Sequence, residues 1–357
     1  MYSWAPACAI SSLRSNSDLR DRPHDLLLCV TDHHEPGTGG ASTDVADRRV
    51  QTWCTQFPAR MGRFRDSDGV APQHTFFYPV EMYRASEVDS IAALCRAGFG
   101  EVEVHLHHDN DTSENLRRVL SDYRDMLASR HGLLSTDKSG QRRYAFIHGN
   151  WALDNSLPDG RHCGVNNELD ILRQTGCYAD FTLPSYPSPA QTRKINSIYY
   201  AVDDPMRPKS HDWGQDVGHG AQPADSLMMI QGPLVLDFRR RRLGLIPCVE
   251  NANLQGNQPP SAQRLDLWLK ARVRVSTRPD WIFVKLHTHG APEWNQNVLL
   301  GEPMEKFHEE LGRRSQTNRN FRYHYVTARQ MYNLARAAES GWTGGVHEAR
   351  DFELVWR

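Results

Sequence analysis

Short apolar runs alternate along this chain with longer stretches in which apolar residues recur at helical spacing. The short runs are rich in β-branched and aromatic residues, which favour buried strands, whereas the helical spacing predicts amphipathic helices. The predicted strands cover residues 25–31, 74–78, 101–105, 144–148, 197–202 and 281–287. The predicted helices cover residues 85–97, 113–129, 166–175, 260–273, 303–314 and 328–339.

Regular alternation of strand and helix predicts a parallel sheet, because parallel strands need long crossover connections that are usually helical. Two of the strands, LLLCV and WIFV, are apolar throughout, as expected of strands that are buried on both faces. We therefore predict an α/β fold with one catalytic domain over residues 25–340. Periodicity alone leaves open whether the sheet is closed into a barrel or remains an open sheet.

Three segments fall outside this pattern. Residues 1–24 are predicted to be a frayed N-terminal arm, since the weakly apolar stretch 4–10 lacks the positive charge that precedes the apolar part of a signal peptide. Residues 341–357 are predicted to be a C-terminal tail. Residues 181–222 are rich in proline and serine and predict a long loop insertion, which either lines a substrate site or is a surface excursion.

The composition argues against nucleic-acid binding and against a membrane span. With 42 Lys and Arg against 43 Asp and Glu, the formal net charge is -1, so the chain lacks the basic surface that binds nucleic acid. No apolar run approaches the roughly 20 residues that span a bilayer. The seven cysteines include no Cys-x-x-Cys pair, which predicts reduced thiols and a cytoplasmic location. A small molecule or a glycan is the partner class that remains.

Polar motifs directly follow several of the predicted strands. The first is Asp-His-His-Glu at residues 32–35, after LLLCV. Four such side chains at a strand end cannot all be buried without compensation, because an unpaired buried charge is costly. A bound metal ion would compensate them, and the alternative is a polar turn closed by Pro36.

The second motif has three histidines in four positions and two acids, within residues 105–111. If the strand continues, the alternation of side chains places His105 and His107 on one face. If the chain turns after His105, then His105 and Asp109 converge instead. Imidazole and carboxylate are ligands for zinc or a similar divalent ion, so either pair predicts a metal site.

Two further motifs occupy equivalent places in the predicted fold. His287 and His289 follow WIFV, and His148 follows YAFI with Trp151 and Asp154 shortly after it. Loops at the carboxyl ends of parallel strands carry ligands and catalytic groups in sheets and barrels alike. The repeated position predicts one common site rather than four separate turns.

The order of these motifs resembles that of the NodB-type polysaccharide deacetylases. The resemblance covers most of the chain, from about residue 26 to residue 337, and depends on the motifs at 32–35, 105–111, 148–154 and 286–287. It implies a distorted (β/α) barrel of the polysaccharide-deacetylase type. It also implies an enzyme that removes acetyl groups from an N-acetylated sugar or polysaccharide with a metal-activated water, zinc being the preferred ion.

The same resemblance implies roles for individual residues. Asp32 matches the general base, and His287 matches the late histidine that acts as the general acid. His33 stands where the family has a metal-binding aspartate, although an alternative register places Asp32 itself on the metal. His105 matches the first metal-binding histidine of the second motif.

At two positions the chain departs from the family pattern. The next metal-binding histidine of the family lies four residues after the first, where this chain has Asp109, whereas an H-x-H pattern selects His107. His148 stands where the family has an arginine that orients the base. The expected site therefore comprises Asp32 and His287 as catalytic residues, His33, His105, His107 and Asp109 as metal ligands, and His148, Trp151, Asp154 and His289 as substrate-binding residues.

This set of residues would support hydrolysis of an acetamide. Zinc lowers the pKa of a bound water to about 7, Asp32 would accept a proton, and His287 would donate one to the leaving amine. Two alternatives are a metal-dependent amidase or esterase with a non-sugar substrate, and a catalytically silent glycan-binding relative. A serine nucleophile is disfavoured, because no Gly-x-Ser-x-Gly motif follows a predicted strand.

Overall fold

The computed structural model describes residues 3–356 of the 357-residue chain. Within them a largely parallel sheet forms the centre of a mixed α/β fold, which confirms the predicted α/β class. The strands are β1 His24–His33, β2 His74–Pro79, β3 Gly100–Leu106, β4 Ser135–Thr136, β5 Arg142–His148, β6 Cys177–Asp180, β7 Ile198–Val202, β8 Gln215–Asp216, β9 Ser226–Ile230, β10 Val235–Arg242, β11 Ile246–Glu250, β12 Asn253–Leu254, β13 Trp281–Thr288 and β14 Phe321–Tyr325.

Helices pack against both faces of the sheet. They are α1 Ala5–Ser12, α2 Ser17–Asp21, α3 Thr43–Met61, α4 Ala85–Leu94, α5 Ser113–His131, α6 Glu168–Gln174, α7 Ala262–Ala271, α8 Glu293–Leu299, α9 Glu302–Thr317, α10 Ala328–Glu339 and α11 Val346–Ala349. Each of the six predicted helices corresponds to one of them. Helix α3 was not predicted, although Val50, Trp53 and Phe57 have helical spacing and are buried.

Local signals define the helix ends where the sequence is informative. At the start of α5, the Thr112 hydroxyl accepts a hydrogen bond from the backbone N–H of Asn115 at 3.2 Å. The same helix ends at Gly132, whose left-handed φ of 65° is suited to glycine. At the start of α10, Thr327 and Gln330 form a capping box. Each of the two N-caps, Thr112 and Thr327, stabilises its helix by about 1 kcal/mol.

The strands of the main sheet follow the order β12-β13-β1-β2-β3-β5-β6-β9-β7-β8. The pairs from β12 to β9 are parallel, whereas β7 is antiparallel to both of its neighbours. Strand β14 pairs with the first half of β1, and β2 pairs with its second half. Parallel pairing brings the carboxyl ends of β1, β3, β5 and β13 to one edge of the sheet. The strand order has two ends, so closure into a barrel stays a prediction.

Strand β1 is buried on both faces, as its apolar run predicts. Leu26 and Leu28 belong to one hydrophobic cluster together with Trp53 of α3, whereas Leu27 and Cys29 belong to a second cluster that includes α10. Burial of a leucine side chain stabilises the fold by about 1.5–3 kcal/mol. Packing on both faces therefore fixes the position of β1, whose carboxyl end carries the 32–35 motif.

The N-terminal segment is more ordered than predicted. Helices α1 and α2 occupy much of it, and Trp4 and Cys8 are buried against Leu234. The prediction of a frayed arm is therefore wrong for the described residues, because these apolar side chains find a partner far away in sequence. Residues 1 and 2 lie outside the described residues.

The predicted loop insertion and the predicted tail also contain regular structure. Strands β7 and β8 lie within residues 181–222, and β7 corresponds to the predicted strand 197–202. In the tail, α11 is followed by a bridge between Val355 and Thr136, and residue 357 lies outside the described residues. None of the helices within residues 3–356 has both the length and the apolarity needed to cross a membrane.

Candidate metal centre

The carboxyl ends of β1, β3 and β13 bring a carboxylate and several imidazoles together. Oε1 of Glu35 lies 3.2 Å from Nε2 of His105 and 3.6 Å from Nε2 of His107. The same oxygen lies 3.9 Å from Nε2 of His289. His33 adds another ring, and its ligand atom lies within 4.8 Å of those of Glu35 and His105. We call Glu35 and these four histidines the β1 cluster.

Two of the rings are held in place through their second nitrogen. Nδ1 of His105 donates to the carbonyl oxygen of Ile147 at 2.8 Å, so the Nε2 that faces Glu35 carries a lone pair when the ring is neutral. Nδ1 of His107 donates to Glu81 at 2.5 Å. A carbonyl or carboxylate partner on the far nitrogen is typical of metal-binding histidines. The arrangement therefore suits a cation in front of the two rings.

The pKa shifts of the histidines follow from their surroundings. Burial lowers the pKa of His33 well below its ordinary value, and the neighbouring His289 lowers it further. Burial also lowers the pKa of His289. Burial acts in the same direction on His107, but the carboxylates of Glu81 and Glu35 raise its pKa overall. Neutral rings at His33 and His289 are in the form that binds a metal ion.

Trp151 forms one wall of the β1 cluster. Its ring centroid lies 6.0 Å from that of His33 and 5.9 Å from that of His289, and these two imidazoles stack at 4.6 Å. Trp151 and the preceding Asn150 both have a left-handed backbone, with φ of 57° and 54°. Such conformations cost of order 1–3 kcal/mol each and persist where the surrounding structure enforces them. The loop after β5 therefore holds Trp151 in a fixed place.

Asp32 is fully buried, and its carboxylate already accepts three hydrogen bonds. Oδ2 accepts from Nδ1 of His34 at 2.8 Å and from Nε2 of His74 at 3.1 Å. Oδ1 accepts from the backbone N–H of Gly290 at 2.5 Å, and a Cβ at residue 290 would lie 2.5 Å from Oδ2. Burial alone would raise the pKa of Asp32, but His34 and His74 lower it overall. Asp32 therefore stays ionised and ties β1 to the chain after His289.

Two other residues of the expected site, His287 and Asp109, are not members of the β1 cluster. His287 is buried, and burial lowers its pKa well below the ordinary value. Asp109 is exposed, and its carboxylate accepts from the backbone N–H of His162 at 2.6 Å. Of the two alternatives for the second motif, His107 faces Glu35, whereas Asp109 bonds to His162.

His148 and Asp154 belong to a second group, at the end of β5. Oε1 of Glu168 lies 3.6 Å from Nε2 of His148 and 3.3 Å from Nε2 of His108. Oε2 of Glu168 accepts from the backbone N–H of Asp154 at 2.6 Å and lies 3.4 Å from Sγ of Cys163. Burial raises the pKa of Asp154 to about 8. We call His108, His148, Cys163 and Glu168 the β5 cluster.

The expected site did not include Glu35, Glu81, Cys163 or Glu168 by name. Glu35 is the last residue of the 32–35 motif, and its carboxylate is a suitable metal ligand. Its place in that motif was therefore the signal that could have identified it. Glu81 lies in a 3₁₀ turn after β2, Cys163 in a loop and Glu168 at the start of α6, and no local pattern marks them. Their contacts depend on how distant segments pack together.

Comparison with known proteins shows no family for this chain. No family model matches the sequence, and no curated protein matches it. A 4-alpha-glucanotransferase from Thermococcus litoralis is similar in structure over 85% of this chain, with 10% sequence identity and a TM-score of 0.42. The chain spans 39% of the length of that protein. A similarity at this level transfers neither a family nor an activity.

Proposed function

We propose that this chain is a metal-dependent hydrolase that removes N-acetyl groups from a sugar or polysaccharide. The observation that carries the proposal is the position of Glu35, whose Oε1 lies 3.2–3.9 Å from Nε2 of His105, His107 and His289. Two of these imidazoles already donate through Nδ1. A carboxylate surrounded by such rings is the donor arrangement of a divalent metal site.

The spacing of the donor atoms fits a tetrahedral ion. Zinc bonds of about 2.0–2.2 Å place neighbouring ligand atoms about 3.3–3.6 Å apart. The Glu35 oxygen lies 3.2 Å from His105 and 3.6 Å from His107, close to this spacing. In the proposal Glu35, His105 and His107 hold the ion and His33 lies beside them, which leaves the fourth position of the ion open. Nitrogen and oxygen donors suit zinc, which is our preferred metal.

The partial exposure of the β1 cluster favours catalysis over a structural role. The side chains of His107 and His289 are 27% and 34% exposed, whereas His33 and His105 are buried. Catalytic zinc sites keep a position open to water and substrate, and structural zinc sites are closed. A substrate would approach from the side of His107 and His289.

The protein's own residues then provide proton transfer and orientation. A bound divalent ion would polarise the acetamide carbonyl and lower the pKa of a nearby water. His289, at the exposed rim, accepts the proton released as water adds to the carbonyl carbon. It returns that proton to the nitrogen as the C–N bond breaks, so acetate and a free amine leave. This donation is needed because an amide anion is a very poor leaving group.

We assign the proton transfer to His289 rather than to Asp32 or His287. Three donors already bind the oxygens of Asp32, and a proton acceptor would have to give up at least one of these bonds. His287 is buried. In this assignment Asp32 is a positioning residue, since its bond to the backbone of Gly290 orients the chain that carries His289.

Trp151 supports a sugar as the substrate. Its ring borders His33 and His289, and an aromatic face beside the reacting groups can pack against the apolar face of a sugar ring. A closed (β/α) barrel and a cytoplasmic location are further parts of the proposal. The parallel strands support the first, and the seven free cysteines support the second.

Metal analysis combined with acetate release tests the proposal. Zinc-loaded protein should release acetate from N-acetylated sugar oligomers, and Glu35→Gln should lose both the β1-cluster ion and this activity. His219→Ala replaces an exposed histidine outside the cluster and should retain both. Turnover of other amides or esters, without turnover of sugars, would replace the sugar by a non-sugar substrate. Metal-loaded protein that hydrolyses no acyl substrate would contradict the enzymatic role.

A further inference from the structure

We infer that the β5 cluster is a second metal site, a closed structural site for zinc or a similar ion. One ligand atom from each of His108, His148, Cys163 and Glu168 lies within 4.8 Å of all the others. The four residues come from the chain after β3, the end of β5, a loop and the first turn of α6. The site is separate from the β1 cluster and does not depend on the proposed hydrolase activity.

The directions of the histidine protons provide the main argument. Nδ1 of His108 donates to Asp111 at 3.1 Å, and Nδ1 of His148 donates to the carbonyl oxygen of Gly149. When both rings are neutral, each Nε2 therefore presents a lone pair, and both face Oε1 of Glu168, which is also an acceptor. These three atoms are buried, and none has a hydrogen-bond partner within residues 3–356. A cation between them would satisfy all three.

Two backbone N–H groups face the sulfur of Cys163. Its Sγ accepts from the backbone N–H groups of Asn155 at 3.3 Å and Val165 at 3.5 Å, which would stabilise negative charge on the sulfur. With the carboxylate of Glu168, this thiolate would balance the two charges of a divalent cation. Two neutral imidazoles complete four ligands, and a set with one thiolate and two imidazoles selects zinc over magnesium or calcium.

Burial distinguishes this site from the β1 cluster. His148, Cys163 and Glu168 have no exposed surface, and only 6% of the His108 side chain is exposed. A closed set of four protein ligands is typical of structural zinc, which contributes its binding free energy to folding.

The ion would hold the loop that carries Trp151. Residues 149–167 contain only two short 3₁₀ turns, Gly149–Trp151 and Leu153–Asn155, among otherwise irregular backbone. His148 anchors the start of this loop, while Cys163 and Glu168 anchor its end. The β5 cluster therefore fixes a loop whose tryptophan borders the β1 cluster.

Cobalt substitution tests the site directly, because the β5 cluster has a sulfur ligand and the β1 cluster, as defined above, has none. Protein stripped with a chelator and reconstituted with Co²⁺ should show a thiolate-to-cobalt charge-transfer band in the near ultraviolet. Cys163→Ser should lose this band and one bound ion per chain. Cys177→Ser replaces another buried cysteine, whose Sγ bonds to the carbonyl oxygen of Ala179, and should retain both.

The outcome of this experiment is decided in the wild-type protein, so a poorly folding variant does not obscure it. Reconstituted wild-type protein without the band overturns the site, and a protonated His108 paired with Glu168 would then account for the cluster. A band that persists in Cys163→Ser also overturns it. Glu35→Gln should keep the band, so failure of the hydrolase proposal and failure of the second site are distinguishable.

Limited proteolysis provides a readout independent of both metal spectroscopy and activity. Arg161 is exposed within the loop and offers a trypsin site. Trypsin should cleave after Arg161 faster in Cys163→Ser and in chelated wild-type protein than in zinc-loaded wild-type protein. Cys177→Ser should be cleaved at the zinc-loaded wild-type rate. Equal cleavage with and without zinc would contradict the role of the ion in holding the loop.

Discussion

Nε2 of His105 lies 3.2 Å from Oε1 of Glu35, while Nδ1 of the same ring donates to the carbonyl oxygen of Ile147. A neutral ring would direct its lone pair at the carboxylate, so the pair requires a positive charge, either a proton on His105 or a cation beside it. Burial alone would raise the pKa of Glu35, but His105 and the neighbouring imidazoles lower it to about 2. The carboxylate is therefore ionised at neutral pH and available to a metal ion.

Glu81 should control the affinity of the β1 cluster for metal. Its carboxylate orients His107 through Nδ1, and loss of such a partner typically lowers metal affinity about 10–100-fold. We expect Glu81→Gln to show this loss for zinc, measured by competition with a chromophoric chelator. Glu309→Gln changes an exposed glutamate outside the cluster and should leave the affinity unchanged. Unchanged affinity in Glu81→Gln would contradict a role for His107 as a ligand.

His289→Ala should separate proton transfer from metal binding. Because His289 lies at the exposed rim, 3.9 Å from Glu35, the remaining ligands should keep the ion. General acid–base groups contribute about 10²–10⁴-fold in rate, so kcat should fall by about that factor while the metal content stays constant. If the variant loses its ion as completely as His105→Ala, His289 is a ligand and the proton acceptor lies elsewhere.

Asp32→Asn tests whether this residue is a base or a positioning residue. The amide keeps the size but removes the charge that faces His34 and His74, and it presents N–H groups where an acceptor is needed. Loss of buried hydrogen bonds of this kind costs about 1–3 kcal/mol. As a positioning residue, Asp32 should give a variant with a lower free energy of unfolding in urea and an unchanged pH profile of kcat. A fall in kcat of about 10²–10⁴-fold at unchanged stability would identify Asp32 as the base instead.

A different ionic cluster lies at the amino end of β1. His324 donates through Nδ1 to Asp68 at 2.8 Å and through Nε2 to Asp25 at 3.0 Å, so the ring carries two protons. Arg322 and Arg350 pair with the same carboxylates, which compensates their charge without a metal. Burial alone would lower the pKa of His324, but Asp25 and Asp68 raise it overall.

This raised pKa predicts a definite pH dependence of stability. The folded protein holds a proton that the unfolded chain releases above its ordinary histidine pKa, so the stabilisation is complete below about pH 6.5. It is lost as the pH rises through the pKa of folded His324. We expect His324→Gln to lower the free energy of unfolding by about 1–3 kcal/mol at pH 6 and by less at alkaline pH, measured in urea.

A matched variant controls for general effects of removing a histidine. His347→Gln replaces an exposed histidine and should not change the free energy of unfolding at either pH. A deficit in His324→Gln that is the same at pH 6 and at alkaline pH would mean that packing, rather than the charged ring, provides the stabilisation.

The sequence by itself determined the class of the fold and the strand ends at which the histidine and acid motifs lie. Continuous apolar runs identified β1 and β13 as buried parallel strands, and the predicted helix 328–339 matches α10, because hydrophobic period and capping residues are local properties. Alternation along the strand left open whether His107 or Asp109 joins His105, and it is His107 that faces Glu35 together with His105. Short, irregular or polar elements such as β8 carry no comparable local signal.

Only the tertiary structure decided which side chains meet. Glu81 reaches His107 from the turn after β2, and Glu168 reaches His148 from the start of α6. These contacts follow from strand register and loop path, which depend on packing between residues far apart in the chain. The same packing surrounds Asp32 with three donors that its motif does not reveal. Local pattern thus locates the histidine and acid motifs at the edge of the sheet, while long-range packing selects the partners that orient their side chains.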